Sequence, residues 1–547
     1  MRSEDLVAGL RDPAAYSHAF TGEVQVRETH ISWLFFAGAR VLKVKKPVDL
    51  GFLDFTTLER RRFFCEEEVR LNRRLAPGVY LGVAPIAVAE GGGLLVGLEP
   101  AVEVGVLMRR LPAERMLAAL LERGEVDNAT IAALVDVLVR FHAAAATGKG
   151  VDEHGSPQAV QRNVLENFEQ TRPFTAAQGA EASSGLRVFP AGLHTFLEQR
   201  SREFLEHHRP LLEQRVAAGR IRDGHGDLHA ENVCFLKERG GRVVAYDCIE
   251  FAPRLRCGDV ACDLAFLAMD LDARGFRGFS AFLSRSYAER SRDAGIDELL
   301  SFYKGYRALV RAKVAGLRAL GARGEARATA RLEALRYLGL AASYELAPAL
   351  ILTCGLPASG KTWAARAVAR PFEAPVFSSD VRRKLLHGVP LTEHRGQALG
   401  QGLYAPQATQ RTYVSLLEEA AKALEQGRTV VVDATFPTRA LRAPFVELAH
   451  RRDVPLLVVW PEADEATARA RLAERARDPD AISDADLAVW LRARERFESP
   501  DPSQGGELAS QEILRHASGA LAPEELAALA VERLALRCEH RRAGLRS

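Results

Sequence analysis

The sequence predicts two domains in series. A mixed α+β domain opens with a β-rich lobe and turns helical, and an α/β domain follows, with a parallel sheet flanked by helices. Three observations carry this. The chain has 547 residues, too many for one hydrophobic core. The first hundred residues alternate in a strand-like manner around a single helical stretch. Near residue 346 the pattern switches from long helical periods to apolar strand, glycine turn and helix, in "PALILTCGLPASGKTWAARAVA". The boundaries read from these changes are 1–345, 346–510 and a helical tail at 511–547.

Taken in order, residues 24–60 alternate as strands, with turns at Gly38 and Pro47, and "TTLERRRFFCEEEVRLNRRL" has the 3.6 spacing of a helix. Two more strands are expected around "GGGLLVGLEP" and "VEVGVLMRRLP". Residues 113–222 are mainly helical, "RVVAYDCIEF" is a short strand, and helices continue to about 345. The stretch "ARGEARATARLEALRYLGL" is either the last helix of the first domain or a stiff connector, and the former is preferred. In the second domain "RTVVVDAT" and "VPLLVVWP" read as buried strands of a parallel sheet.

Bulk properties exclude several classes. A hydrophobic share of 47% with 27% charged residues is that of a soluble globular protein, and a formal charge of +3 gives no general attraction to nucleic acid or membrane. The start, "MRSEDLVAGLRDPAAY", has acids and a proline where a secretory signal needs an apolar core, and no apolar run approaches the roughly 20 residues of a membrane span. The expectation is a cytoplasmic protein. Seven cysteines without a CxxC pair suit scattered reduced thiols.

In the second domain Gly355-x4-Gly360-Lys361-Thr362 follows a strand and opens a helix. The amides of such a loop, through Ser359 and Gly360, enclose phosphate oxygens, while Lys361 reaches the terminal phosphates and Thr362 binds Mg²⁺. Asp433 ends a buried strand, either to hold Mg²⁺ through water or as a turn former. Asp380 lies one helical turn before Arg383: a base for an acceptor hydroxyl beside a substrate-fixing arginine, or an N-cap on a basic helix. Arg471 and Arg475 share one helix face, as in a lid over phosphates or as an ordinary solvated face. From 348 to 500 these features resemble the small P-loop kinases of the polynucleotide 5′-hydroxyl kinase, gluconate kinase and zeta-toxin kind.

In the first domain "HGDLHAENV" sets Asp227 five positions before Asn232, and Asp247 ends the strand "VVAYD". Phosphoryl transfer needs a base at the acceptor hydroxyl, the role that suits Asp227. It also needs oxygen ligands for Mg²⁺, the role that suits Asn232 and Asp247. Three of the ten lysines fall at Lys43, Lys45 and Lys46. Alternation puts Lys43 and Lys45 on one face; Lys43 is preferred as the nucleotide-phosphate ligand, with Glu68 as its partner. "VLMRRLP" is a candidate hinge for adenine.

Over residues 25–320 this pattern resembles the aminoglycoside phosphotransferase branch of the protein-kinase-like fold, which is bilobal. The resemblance implies that Asp259 and Asp263 in "GDVACDLAFLAMDL" brace the catalytic loop. It departs in lacking a GxGxxG loop before Lys43 and in having "DCIEF" at the metal aspartate, which leaves Glu250 a candidate for the metal or acceptor shell. The whole chain thus resembles a bacterial fusion of an aminoglycoside-phosphotransferase-like domain with an AAA-type P-loop kinase. The resemblance implies ATP and Mg²⁺ as cofactors and small-molecule hydroxyls as acceptors, with a phosphotransferase in each half. The alternative is that only the P-loop domain is active, on nucleic-acid ends or a sugar nucleotide, with the first domain a nucleotide-binding regulatory module. A nucleic-acid acceptor is less favoured, and no membrane partner is expected.

Overall fold

The computed structural model describes residues 2–16, 22–51, 53–176, 188–237, 241–393, 402–478, 482–483 and 485–546. The chain divides into two compact units, one formed by 1–162 and 205–304 and the other by 163–204 and 305–547.

The first unit opens with six strands, β1 (Gln25–Glu28), β2 (Ser32–Ala37), β3 (Arg40–Lys45), β4 (Tyr80–Val88), β5 (Leu94–Val96) and β6 (Glu103–Arg109). They form an antiparallel sheet in the order β1-β2-β3-β6-β4-β5. Strand β4 goes beyond the expected set: its Gly82 and Pro85 break the alternating signal, and Gly82 sits at a register shift against β6. Helix α1 (Leu58–Asn72) starts at Thr57, whose hydroxyl accepts from the amide of Arg60 at 3.2 Å. Its Cys65 and Val69 pack with Val41, Val104 and Val106, which fixes one face of β3 against the helix. Leu42 and Val44 point the other way, into a second core with Phe35 and Ile86. Lys43 and Lys45, in phase with Val41, are therefore carried on the helix face.

Below this lobe β7 (Ile221–Asp223) and β10 (Cys257–Asp259) pair, as do β8 (Val233–Leu236) and β9 (Arg242–Ala245). Helix α2 (Val260–Ala273) is buried almost throughout, including Asp263, Asp270 and Asp272.

The second unit holds α3 (Gly324–Ser343) and a five-stranded parallel sheet of β11 (Leu350–Thr353), β12 (Val376–Ser378), β13 (Val430–Asp433), β14 (Leu456–Glu462) and β15 (Ile513–Ala517). Its order is β12-β13-β11-β14-β15. The first strand is central, so the loop after it opens at the carboxyl ends of the strands, where such sheets bind ligands. Helix α4 (Lys361–Ala369) follows that loop; α5 (Ser379–Leu386), α6 (Glu465–Arg475) and α7 (Leu487–Arg496) supply the surroundings, and α8 (Pro523–Arg546) closes the unit.

Two organisational expectations are corrected. Residues 511–547 are not a separate helical tail: β15 is an edge strand of the sheet, and Leu514, Leu526, Ala530 and Leu534 share a core with Ile351, Val431 and Val459. Helix α3 is not the last helix of the first domain, because it packs on α8 in the second unit, with an Arg331–Glu525 ion pair between them. Its apolar residues were visible in the sequence, but what they face is a partner almost 200 positions away. Among the described residues no single helix is long and apolar enough to cross a membrane.

Candidate active sites

In the first unit the segment "HGDLHAEN" lies between β7 and β8 and is pinned by aspartates of α2. Asp263 accepts from the amides of His225 at 2.7 Å and Gly226 at 2.8 Å, and Asp270 accepts from the amide of Ala230 at 2.9 Å. Burial pushes the Asp263 carboxyl up, but His142, His225 and that amide outweigh it and hold it well below the usual range. Gly226 has φ of +83°, and a Cβ there would stand 2.9 Å from the carbonyl oxygen of Leu255. The Asp227 amide donates to His225 Nδ1 at 3.2 Å, which leaves Nε2–H to donate to the Tyr246 carbonyl at 3.0 Å. This is the neutral imidazole, in keeping with a pKa that burial lowers.

Asn232 donates through Nδ2 to the Asp227 carbonyl at 3.0 Å and its carboxylate at 3.3 Å, keeping Oδ1 as its acceptor. The Tyr246 amide donates to the Asn232 carbonyl at 3.0 Å, which seats Asp247 beside it. Asp247 has φ of +63°, a costly conformation for a residue with a side chain; its amide donates to the Tyr80 hydroxyl at 3.1 Å. From above, Lys43 Nζ donates to Glu68 Oε1 at 2.8 Å and Asp247 Oδ1 at 2.7 Å. Burial alone would depress the Lys43 ammonium, but Asp247 and Glu68 hold its pKa above the ordinary value. Burial works against the Glu68 carboxylate too, yet Lys43 and Lys45 draw it down to about 2.

The structure therefore brings Lys43, Glu68, Asp227, Asn232 and Asp247 into one cluster. Glu250 does not join a metal or acceptor shell as expected: it is buried and paired with Lys45. Asp259 does not brace the loop directly either. It caps α2 and binds Arg215 through both oxygens, at 2.6 and 2.7 Å. The braces that sequence spacing did not reveal are Asp270 and His142, whose Nε2 lies 3.3 Å from Asp263.

In the second unit the glycine-rich loop borders a cavity of about 680 Å³. Gly360 has φ of +94°, and a Cβ there would lie 2.8 Å from Ser518 Oγ, so glycine is required on two counts. The Ser359 hydroxyl is buried with no hydrogen-bond partner among the described residues. Lys361 Nζ donates to the Leu356 carbonyl at 2.6 Å, and burial lowers its pKa although Asp433 and Asp380 oppose this. Thr362 Oγ1 donates to Asp433 Oδ2 at 2.7 Å and Thr353 Oγ1 to Oδ1 at 3.0 Å. Burial raises the Asp433 pKa more than these donors and Lys361 lower it.

Gly355, Lys361, Asp380, Arg383, Asp433 and Arg475 all line this one cavity. Arg383 is buried, donates to the Leu403 carbonyl at 3.0 Å and Thr409 Oγ1 at 3.2 Å, and stacks over Tyr404 at 4.8 Å. Arg471 departs from its expected lid role. It donates to the Ala358 carbonyl at 3.1 Å and Ser518 Oγ at 2.8 Å, gripping the loop, because β15 delivers Ser518 to its side of α6. Tyr404, Arg496 and Trp363 also line the cavity and were not singled out from the sequence. Trp363 was discoverable, since it directly follows Lys361 and Thr362.

Both sites offer oxygen donors to a cation, Asn232 and Asp247 in one, Thr362 and Asp433 in the other, a set that fits Mg²⁺ better than a softer metal. No group of three or more His, Cys, Asp or Glu converges as a metal cage among the described residues. Such sites leave most ligand positions to phosphate and water.

Residues 57–299 match the family model described as the phosphotransferase enzyme family, and 350–500 match that of an AAA domain. Uncharacterized protein Rv2004c of Mycobacterium tuberculosis H37Rv is 33% identical over 489 residues, which cover 88% of this chain and 93% of the relative. The chain belongs to the same family as this mycobacterial protein. It is an ATP-dependent kinase built from an N-terminal phosphotransferase domain of kinase-like fold and a C-terminal P-loop kinase domain. Among solved structures, a choline/ethanolamine kinase family protein from Mesorhizobium loti is 17% identical, with a TM-score of 0.35, over 62% of this chain and 94% of that one. A gluconokinase from Sinorhizobium meliloti 1021 is 19% identical, with a TM-score of 0.26, over 36% of this chain and 97% of that one.

Proposed function

We propose that the protein is a bifunctional phosphotransferase of the cytoplasm, with two separate Mg-ATP sites, each passing the γ-phosphate of ATP to a hydroxyl of a small-molecule or sugar-like acceptor. The observation that supports this reading is that two units of different fold each assemble the same kinds of side chain. Each unit gathers a lysine suited to phosphate, an oxygen pair suited to a cation and a further carboxylate, Asp227 in the first and Asp380 in the second, in the place of a base.

In the first unit Lys43, oriented by Glu68, holds the nucleotide phosphates. Asp227 accepts the acceptor's hydroxyl proton, and its orientation comes from Asn232 and the His225 ring. In the second the loop amides and Lys361 hold the phosphates, Asp380 takes the proton, Arg383 fixes the acceptor and Arg475 faces the transferring group across the cavity. In both, the acceptor oxygen bonds to the γ-phosphorus as its bond to the bridging oxygen breaks, and ADP leaves. Mg²⁺, when bound, neutralises charge on the β and γ oxygens. Near-neutral net charge supports small acceptors over nucleic acid.

The test is to incubate the protein with γ-labelled ATP, Mg²⁺ and a fractionated metabolite extract, comparing wild type, Asp227→Ala and Lys361→Ala. The expected result is that each variant loses a different labelled product. If Asp227→Ala changes nothing while Lys361→Ala abolishes all transfer, the first unit is a nucleotide-binding regulatory module instead.

A further inference from the structure

The first unit buries two lysines and two glutamates where one of each would complete the phosphate-binding pair. Lys45 is fully buried; it donates to Glu68 Oε2 at 2.7 Å and to Glu250, and its ammonium lies 4.9 Å over the ring of the equally buried Phe55. It cannot reach a nucleotide. Lys43 keeps some exposure and bonds Asp247, whose side chain is about half exposed at 47%. Lys43 is thus the lysine that opens toward a ligand, and it must release Asp247 to meet phosphates.

When it does, Glu68 must keep its place so that it still orients Lys43. The two lysines take different oxygens of Glu68, Lys43 on Oε1 and Lys45 on Oε2. Glu250 lies three residues beyond Asp247, so the same Lys45 ties β3 to the loop that carries the metal-ligand candidate. That loop needs holding, because Asp247 sits at φ of +63° and only its surroundings keep it there. The Tyr80 hydroxyl on the Asp247 amide, Asn72 Oδ1 on the Cys248 amide at 2.9 Å and the Ile249 amide on the His225 carbonyl at 3.1 Å are restraints along its backbone, and Lys45–Glu250 adds one through a side chain. Apolar groups of the same volume often serve stability as well as a buried ion pair does, so geometry is the use that the placement of this one suggests.

We propose that Lys45 and Glu250 are positioning residues that hold Glu68 and the Asp247 loop fixed while Lys43 turns from Asp247 to the phosphates of ATP. This rests on the first unit being a nucleotide site.

The experiment uses the full chain carrying Lys361→Ala, so that the second nucleotide site is silent, and reads Mg-ATP affinity, ATP turnover to ADP and the Mg²⁺ concentration for half-maximal turnover. Lys45→Met alone leaves two buried carboxylates short of a cation and is expected to unfold early. Lys45→Met/Glu250→Leu removes both charges, and Glu250→Gln keeps the shape. The double variant is expected to unfold at the parent's denaturant midpoint yet turn over ATP about 10- to 100-fold more slowly, and Glu250→Gln to need about tenfold more Mg²⁺, the usual range for groups supporting a ligand shell. Parent-like turnover in the folded double variant, or an unchanged Mg²⁺ requirement in Glu250→Gln, overturns the inference. A parent that neither binds nor turns over ATP fails differently: it removes the nucleotide site itself, and this inference with it.

Discussion

Asp433 is a carboxylate kept at a cost to the ligand-free protein. It is 4% exposed, with two threonine hydroxyls for donors, and burial holds its pKa above the ordinary value. For a group shifted this way the fold favours the protonated form. Its stabilising contribution is complete below the unfolded pKa and lost as pH rises through the higher folded one, so at neutral pH only the cost of the buried charge remains. Asp433→Asn is therefore expected to raise the unfolding midpoint of the nucleotide-free second unit at pH 7, by an amount that shrinks as pH falls toward the carboxylate range. Transfer that depends on Lys361 should fall by about 10²-fold or more. Thermal melts across pH, with product assays on the same samples, check both; an Asn variant less stable at neutral pH refutes the argument. Asp433 was visible in the sequence because it ends a buried strand, and Lys361 with Thr362 because their spacing is local. Lys43 and Lys45 could not be separated by alternation, since both lie on the helix face of β3; their different partners, Asp247 and Glu250, come from over 200 positions away. Asp270, His142 and Arg496 were invisible for the same reason: what each one faces is set by tertiary packing.

At the scale of elements, β15 and α8 show where periodicity runs out. "ILRHA" is five residues of an edge strand, with Arg515 and Ala517 exposed and Ile513 and Leu514 buried, so its charge masks its pairing with β14. Strand β4 was hidden likewise by Gly82 and Pro85, whereas β11, β13 and β14, buried on both faces, announce themselves as apolar runs. A chain ending at 510 would strip Leu514, Leu526, Ala530 and Leu534 from the core around Ile351. At roughly 1.5–3 kcal/mol for each buried aliphatic side chain the loss is comparable to the whole stability of a domain. It would also remove Ser518 from Arg471. The truncated protein is expected to lose cooperative unfolding of the second unit and all Lys361-dependent transfer, measured by hydrogen exchange in β11 and β13 and by product assay. A soluble, active truncation would mean that 511–547 is a tail after all.

At the scale of the whole molecule, the stretch that matches the phosphotransferase family and the compact units do not coincide. The match runs from 57 to 299, yet residues 163–204 within it, together with 305–345, belong to the same unit as the P-loop sheet. The contacts that hold them there are concrete: Glu532 accepts from the amide of Leu193 at 3.2 Å, Arg331 pairs with Glu525, and α3 lies along α8. The kinase-like half thus contributes helices to a body whose nucleotide site is the loop at Gly355–Thr362, so the change of sequence pattern near 346 marks a change of local structure inside one body. A cut there divides a packed core and leaves two separate surfaces that are apolar over buried residues such as Leu335, Leu338 and Leu534. Installing a protease site at 345–346 and cleaving the folded protein is therefore expected to leave the two fragments together on gel filtration under native conditions, while 346–547 expressed alone aggregates. Fragments that part cleanly, each unfolding cooperatively and each keeping its own transfer activity, would show instead that residue 346 is a true boundary and that the helices at 163–204 and 305–345 stand without the P-loop sheet.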